Sequence, residues 1–213
     1  MYTVYTIPGS CSSGIVILLE KLQVEYTAVK REDVTNYTEL VPTNQVPALK
    51  TPDGQIITEG AAIALYLLEK HNSDMLPVDL SQKAEFLRWL MFDYATLHPA
   101  YGKMFAIQYR VKIDEKEKAN VLRQLAISVS GLWAILDREL EGKKYIAGDQ
   151  PTIVDYLAAI YSSWGNNFPD IKISLGKNVV RMIDEVSALP EFEAGYRKEN
   201  ATFKKAAQEV ATD

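Results

Sequence analysis

The single cysteine of the chain, Cys11, is placed where its thiol can do chemistry. It follows a β-rich run and a Pro-Gly turn, and a helix is predicted to begin at about Ser12. The positive end of a helix dipole and unpaired backbone N–H groups stabilise an anion, so this position favours a lowered thiol pKa. The alternative is a small buried thiol that only packs at the helix start. With no second cysteine, the chain alone cannot act as a dithiol oxidoreductase.

Two further positions offer polar groups close to that turn. Tyr5 ends the first predicted strand, and its hydroxyl could donate a hydrogen bond to a thiolate, although a strand tyrosine more often packs. Val46-Pro47 precedes another predicted strand. A cis proline there would leave the Val46 N–H and C=O free to pair with an extended peptide ligand, whereas a trans proline would simply begin the strand.

Glu59-Gly60 and His98 are the other candidate site residues. Glu59 begins a predicted helix, and Gly60 leaves the backbone N–H groups there open to a ligand carboxylate. An ordinary acidic residue in a first turn is the alternative. His98 lies near the end of a long predicted helix, where capping of carbonyl groups is an equal alternative. Two histidines and one cysteine provide no metal-ligand cluster, so no metal is expected.

The elements that must position these residues divide the chain into two parts. Residues 1–74 mix short strand patterns with helical ones, and residues 81–213 read almost entirely as helices. In the first part, a strand ends at Thr6, a helix follows from Ser12, and a second strand covers Tyr26 to Val29. Two β-rich runs then flank Pro52-Asp53-Gly54, which predicts a hairpin. The order matches a thioredoxin-like α/β domain, and a short helix is expected between Asn36 and Pro42.

In the second part, the apolar spacing predicts a series of helices with identifiable starts. Asp114 and Glu117 are spaced as a cap pair, and Thr152 and Asp155 have the spacing of a capping box. The predicted helices are Ser81 to about Tyr101, Asp114 to Leu140, Tyr156 to Trp164, Lys177 to Leu189, and Pro190 to about Lys198. The second domain is therefore expected to be all-α.

Composition limits the classes of function. The 213 residues are 47% hydrophobic and 24% charged, with a net charge of −5, which is typical of a globular protein and argues against a nucleic-acid surface. The longest apolar run, Ile15 to Leu19, is too short to cross a membrane, and the N-terminal residues lack the pattern of a signal peptide. A cytoplasmic protein without membrane or nucleic-acid partners is expected.

In combination, the motifs resemble the bacterial cytosolic glutathione transferases, and the beta class most closely. In chain order they are Tyr5, Pro8-Gly9-Ser10-Cys11-Ser12, Asn44-Gln45-Val46-Pro47-Ala48-Leu49, Asp53-Gly54, Thr58-Glu59-Gly60-Ala61-Ala62-Ile63, Leu97-His98, and Ile146-Ala147-Gly148 with Thr152 to Asp155. The beta class is marked by a cysteine in a Pro-Gly-x-Cys-Ser turn. The resemblance extends over almost the whole chain and implies the glutathione transferase fold.

The resemblance also implies roles for the site residues. Cys11 would meet the glutathione sulfur, as a hydrogen-bond donor or as a mixed-disulfide partner, with Tyr5 close by and Ser12 sharing the donor role. The residues that would bind glutathione are Ser10, Val46, cis-Pro47, Glu59, Gly60 and His98. Val46 would pair with the cysteinyl part, and Glu59 with Gly60 would hold the γ-glutamyl end.

The activity implied is conjugation of the glutathione thiol to a hydrophobic electrophile, as in detoxification, by a homodimer. Tyr101, Phe105 and Trp164 are candidates for lining the electrophile pocket. Two alternatives stay open: thiol–disulfide exchange through Cys11, and a non-catalytic binding protein with the same fold. The second is motivated by departures from the class pattern at Asn36, Met91 and Thr96.

Overall fold

The computed structural model describes residues 1–206, and the first third of the chain forms a four-stranded mixed sheet. The strands are β1 (Tyr2–Thr6), β2 (Tyr26–Lys30), β3 (Ala48–Lys50) and β4 (Ile56–Thr58). Their order is β2-β1-β3-β4, with β1 parallel to β2 and β3 antiparallel to both of its neighbours. Helix α1 (Ser12–Lys21) supplies the crossover that the parallel pair requires. The predicted βαβ unit and hairpin are confirmed.

The remaining helices follow the predicted series closely. They are α2 (Tyr37–Leu40), α3 (Gly60–Lys70), α4 (Leu80–Phe92), α5 (His98–Tyr109), α6 (Glu115–Glu139), α7 (Ile153–Ser163), α8 (Lys177–Ser187) and α9 (Pro190–Lys198). The segment between α3 and α4 is the one rich in helix-breaking residues. By length and composition alone, α6 is the one helix within residues 1–206 that could span a membrane, a test that core helices also pass.

Helix α1 is buried on all sides, whereas its sequence spacing predicts one apolar face. Every side chain from Ile15 to Leu19 is fully buried. The helix packs on the sheet and α3, and also against α7 and α9 of the helical part. Both contacts depend on glycine: a Cβ at Gly14 would lie 2.6 Å from Leu157, and one at Gly195 would lie 2.6 Å from Ile17. The close approach fixes the start of α1 relative to the helical part of the chain.

The long helix predicted from Ser81 contains one widened turn and extends beyond its predicted end. Helix α4 stops at Phe92, residues Asp93–Leu97 adopt π-helical geometry, and α5 continues from His98. The widened turn buries both Asp93 and Leu97. Such single-turn insertions are rare and often lie at functional sites, because they turn side chains away from the regular helical spacing.

Both predicted helix caps are confirmed. Asp114 accepts hydrogen bonds from the N–H groups of Lys116 and Glu117 at the start of α6. Thr152 and Asp155 form a complete capping box on α7, and the buried Asp155 carboxylate also accepts from the Ile146 N–H at 2.8 Å. Because α7 lies beneath α1, this cap supports the packing that holds the Cys11 turn.

Candidate functional site

The turn that carries Cys11 is closed by hydrogen bonds among its own serines. The Ser12 hydroxyl accepts from the Ile7 N–H at 3.0 Å and donates to the Ile7 carbonyl at 3.1 Å. The Ser10 and Ser12 hydroxyls lie 2.7 Å apart, and Ser10 also accepts from the Ser12 N–H at 3.2 Å. The two hydroxyls are therefore occupied within the turn. A donor role toward a ligand requires one of these bonds to be given up.

The helical part of the chain holds the same turn from outside. Ser13 accepts from the Gly9 N–H at 2.9 Å and donates to the Glu199 carboxylate at 2.5 Å. The indole N–H of Trp164 donates to the Gly9 carbonyl at 2.8 Å. Glu199 is buried, and burial raises the pKa of its carboxyl. Ser13 and Glu199 are 186 positions apart, so no local pattern in the sequence signals this contact.

Cys11 is buried, and its thiol is not acidic. It immediately precedes α1, at the helix start as predicted, but only 7% of the residue is exposed. Burial raises the pKa of the thiol to about 12, because hydrogen bonds from Ser10 and the nearby backbone stabilise the thiolate less than removal from water destabilises it. The expectation of a lowered pKa is wrong. The neutral thiol donates to the Val46 carbonyl at 3.5 Å.

Val46 joins the second loop of the site to the first. The Val46-Pro47 peptide bond is cis, which is the alternative that the family resemblance implies. Val46 is half-buried and precedes β3, so its backbone lies outside the ladder of the sheet. Its carbonyl faces the Cys11 thiol, and within residues 1–206 no hydrogen-bond acceptor is paired with its N–H. Both groups remain in position to pair with a ligand backbone.

Tyr5 lies on the other face of the sheet from the main core. Its ring contacts Tyr37, with ring centroids 5.5 Å apart, in a small cluster with Val41 and Ala48. Its neighbour Val4 faces the main core that includes Cys11. In the part of the chain that the structure describes, no hydrogen bond joins Tyr5 to Cys11, so the structure does not bring these two predicted residues together.

The start of α3 differs from the start of α1 in how its first N–H groups are paired. At α1, Ser10 accepts from the N–H groups of Ser12 and Ser13. Glu59 is exposed, has φ +66°, and makes no side-chain capping hydrogen bond. The first helical bond runs from the Ile63 N–H to the Glu59 carbonyl. Among the described residues, none accepts from the N–H groups of Gly60, Ala61 or Ala62. Unpaired N–H groups at a helix start attract anions, as the sequence predicts here.

Tyr94, from the widened turn, packs against this helix start. A Cβ built on Gly60 would lie 2.3 Å from a ring carbon and 2.4 Å from the hydroxyl of Tyr94. The hydroxyl is buried and has no hydrogen-bond partner within the described residues. Burial, together with the nearby Cys11 and Asp93, raises the pKa of Tyr94 well above its ordinary value. Sequence reasoning missed Tyr94, since its position depends on the widened turn.

His98 lies in an aromatic cluster beside the Cys11 turn. Its ring centroid is 5.6 Å from that of Tyr161 and 5.3 Å from that of Trp164. Burial lowers its pKa, so the imidazole is neutral at pH 7. His98 is the first residue of α5 and does not cap the end of a helix. It reaches the turn through Trp164, which donates to Gly9.

The predicted pocket-lining residues are only partly suited to that role. Tyr101 is fully buried, and its hydroxyl accepts from the Trp133 indole N–H at 3.0 Å, so the prediction that it lines a pocket is wrong. Phe105 is half-buried and contacts Trp164 with ring centroids 5.6 Å apart. Trp164 is buried, and its indole links Phe105 to the Cys11 turn through the bond to Gly9.

The three departures from the class pattern, at Asn36, Met91 and Thr96, are all exposed in the protomer. Asn36 begins the short helix α2, and 41% of Met91 is exposed. Within residues 1–206, no group of three or more His, Cys, Asp or Glu side chains is arranged to hold a metal ion.

Comparisons with known proteins agree with this arrangement. The family model described as "Glutathione S-transferase, N-terminal domain" matches residues 9–70, and "Glutathione S-transferase, C-terminal domain" matches residues 94–190. The GST-like protein YncG of Escherichia coli K12, which is uncharacterized, is 26% identical over 201 residues, covering 91% of this chain and 96% of YncG. The glutathione S-transferase GstA of Escherichia coli O157:H7 is 29% identical over 157 residues, covering 70% and 74% of the two chains.

Solved structures show the same fold. A sphingomonad glutathione S-transferase complexed with glutathione superimposes with a TM-score of 0.77 at 24% identity, over 94% of this chain and the whole of the other. The thioredoxin-like domain and the helical domain therefore have the arrangement that the sequence motifs imply.

Proposed function

Because this chain belongs to the glutathione S-transferase family, we propose that it binds glutathione and conjugates the thiol of glutathione to hydrophobic electrophiles. The backbone of Val46 pairs with the cysteinyl part of the ligand, next to Cys11. The uncapped start of α3 holds the γ-glutamyl carboxylate. The observation that carries the proposal is the set of backbone N–H groups at the start of α3 that have no acceptor within residues 1–206. Val46 and the Cys11 turn, which both domains hold in place, supply the other contacts.

The pKa of Cys11 determines which sulfur is ionised. A thiol with a pKa of about 12 stays protonated at pH 7, whereas an ordinary thiol, with a pKa of about 8.5, is far easier to ionise. When both sulfurs are in the site, the glutathione thiol therefore loses its proton first. Cys11 acts as a neutral donor, turning its S–H from the Val46 carbonyl to the bound thiolate.

The conjugation step needs only the ligand thiolate and an electrophile with a leaving group. With an aryl halide, the sulfur attacks the carbon that bears the halogen, a C–S bond forms, and the C–halogen bond breaks. The halide leaves with the bonding electrons, and the thiol proton goes to solvent. Stabilising the thiolate so that its pKa falls toward 7 raises the reactive fraction by roughly tens of fold.

The electrophile is proposed to lie against Phe105 and Trp164, with His98 at the border. Trp164 connects this apolar surface to the Cys11 turn through its bond to Gly9. A neutral His98 presents no charge to an apolar substrate. We further propose a cytoplasmic homodimer, since the fold is that of the family; sedimentation at micromolar concentration tests the dimer, and a species of one chain mass contradicts it.

A conjugation assay with a generic aryl halide tests the proposed reaction. Formation of the thioether should exceed the rate in buffer by at least about tenfold at millimolar glutathione. The Cys11→Ser variant should keep activity within about tenfold, because serine also donates a hydrogen bond. Wild-type rates equal to buffer with several electrophiles would exclude the transferase activity.

Thiol–disulfide exchange is the competing enzymatic function, and the burial of Cys11 argues against it. Exchange requires Cys11 to form a mixed disulfide, and its raised pKa leaves little thiolate for this. Mass spectrometry after treatment with oxidised glutathione distinguishes the two functions. A quantitative adduct on Cys11, with reductase activity that Cys11→Ser abolishes, would favour exchange. Heat of glutathione binding without any turnover would favour a binding protein.

A further inference from the structure

Tyr94 occupies the space in which a side chain at position 60 would lie. Ring carbons of Tyr94 lie 2.3 and 2.5 Å from an ideal Cβ on Gly60, distances that real Cβ atoms do not tolerate. A substitution at position 60 therefore requires Tyr94 to move. The phenol and the start of α3 form one unit, although they come from different domains of the fold.

The hydroxyl of Tyr94 is the feature of this unit that lacks an explanation within the protein. It is buried and has no hydrogen-bond partner among residues 1–206, although Tyr94 as a whole is only half-buried. A buried hydroxyl without a partner destabilises the folded state, because it loses its hydrogen bond to water and gains none. Buried polar groups are almost always paired, so this one points to a missing partner.

Two neighbouring sets of hydrogen-bond donors would be satisfied by one negatively charged group. The N–H groups of Gly60 and Ala61 have no acceptor within residues 1–206, and the helix dipole places positive potential there. Glu59, which precedes them, has a φ of +66° and makes no side-chain capping hydrogen bond. The Tyr94 hydroxyl, 2.4 Å from the ideal Cβ of Gly60, is a donor at the same place.

We propose that Tyr94 is a ligand-binding residue whose hydroxyl donates to the α-carboxylate of the γ-glutamyl group, which also accepts from the N–H groups at the start of α3. This inference rests on the proposed binding of glutathione. Binding turns the phenol slightly, so that a buried unpaired hydroxyl becomes a paired one.

The substitution Tyr94→Phe tests this role, because it removes the hydroxyl and keeps the ring. The two probes are S-hexylglutathione and S-hexyl-cysteinylglycine, which lacks the γ-glutamyl group. The dissociation constant of the first should rise about tenfold or more, since a hydrogen bond to a charged group is lost. The dissociation constant of the second should stay within about twofold. Tyr109→Phe, at an exposed tyrosine, is the matched control and should change neither.

The melting temperature without ligand is a second measurement. If the Tyr94 hydroxyl had a purely structural role, its removal would lower the melting temperature. Removing an unpaired buried hydroxyl should leave the melting temperature of Tyr94→Phe equal to or above that of wild type. Equal affinity of wild type and Tyr94→Phe for S-hexylglutathione would overturn the inference while leaving glutathione binding intact. Equal losses with both probes would also overturn it. No binding of either probe by wild type would instead refute the proposed function together with the inference.

Discussion

The two helix starts at the candidate site, those of α1 and α3, differ in how completely the protein satisfies them. At α1, Ser10, Ser12 and Ser13 bind the backbone of the turn, and Glu199 and Trp164 hold it from the helical domain. At α3, the first N–H groups have no acceptor among residues 1–206, and the buried Tyr94 hydroxyl beside them has no partner there either. The start of α1 is therefore satisfied by the protein itself and positions a neutral thiol, whereas the start of α3 keeps donors for the ligand that we propose.

The largest expected effect concerns the reactivity of the Cys11 thiol at the start of α1. At pH 8 a thiol with a pKa of about 12 has roughly a thousandfold less thiolate than an ordinary cysteine, which greater nucleophilicity only partly offsets. Alkylation by iodoacetamide should be at least about a hundredfold slower than for free cysteine, and the rate should keep rising with pH above 9. The protein unfolded in urea is the control. A rate that levels off near pH 7 would show that Cys11 is already ionised there, and it would contradict a neutral thiol at the start of α1.

Substitution at position 60 tests how closely Tyr94 packs against the start of α3. Gly60→Ala forces a Cβ into the ring of Tyr94, so unfolding free energy should fall by about 1–3 kcal/mol. The matched control is Gly102→Ala, another helical glycine, which has nothing within 4 Å of its ideal Cβ. It should gain about 0.5–1 kcal/mol from the lower entropy of alanine. Urea denaturation measures both, and equal effects of the two substitutions would contradict the packing of Tyr94.

Substitution of Glu199 tests whether the start of α1 depends on its hydrogen bond to the helical domain. Glu199→Ala leaves the buried Ser13 hydroxyl without its acceptor and should cost about 1–2 kcal/mol of unfolding free energy. Glu199→Gln keeps an acceptor for Ser13 and removes a carboxyl whose pKa is raised by burial. The unfolding free energy of this variant at pH 7 should therefore equal or exceed that of wild type. The alkylation rate of Cys11 should rise in Glu199→Ala alone. If glutamine is as damaging as alanine, the charge of Glu199 is needed for some other reason.

Asp93, next to Tyr94, gives the smallest effect and a pH dependence of defined sign. It is fully buried, neither carboxyl oxygen has a described partner, and burial raises its pKa well above the ordinary value. Folding therefore favours the protonated form of Asp93. Its contribution to the free energy of unfolding is fully present below about pH 4 and is lost as the pH rises through the folded-state pKa. Asp93→Asn should be more stable than wild type by about 1 kcal/mol at pH 8 and by less at pH 5. A difference that does not change with pH would contradict a buried carboxyl here.

The parts of the fold that sequence predicted correctly are those determined by neighbours along the chain. The Asp53-Gly54 hairpin and the Thr152–Asp155 capping box each depend on a few adjacent residues. The residues around Pro47 left cis and trans open, and only the family resemblance implied the cis bond that the structure has. The position of Cys11 was predicted correctly and its pKa was not, because the pKa depends on burial between two domains. Glu199 and Tyr94 escaped prediction for the same reason: one contact spans 186 positions, and the other depends on a widened turn that apolar spacing does not reveal.

The central claim is that glutathione completes the start of α3, and backbone amide chemical shifts measure this directly. Addition of glutathione should shift the amide signals of Gly60, Ala61 and Ala62 most, together with that of Val46. Cysteinylglycine, without the γ-glutamyl group, should shift Val46 and leave the three α3 amides almost unchanged. Shifts of the α3 amides that are equal with both compounds, or absent with glutathione while Val46 responds, would contradict the account.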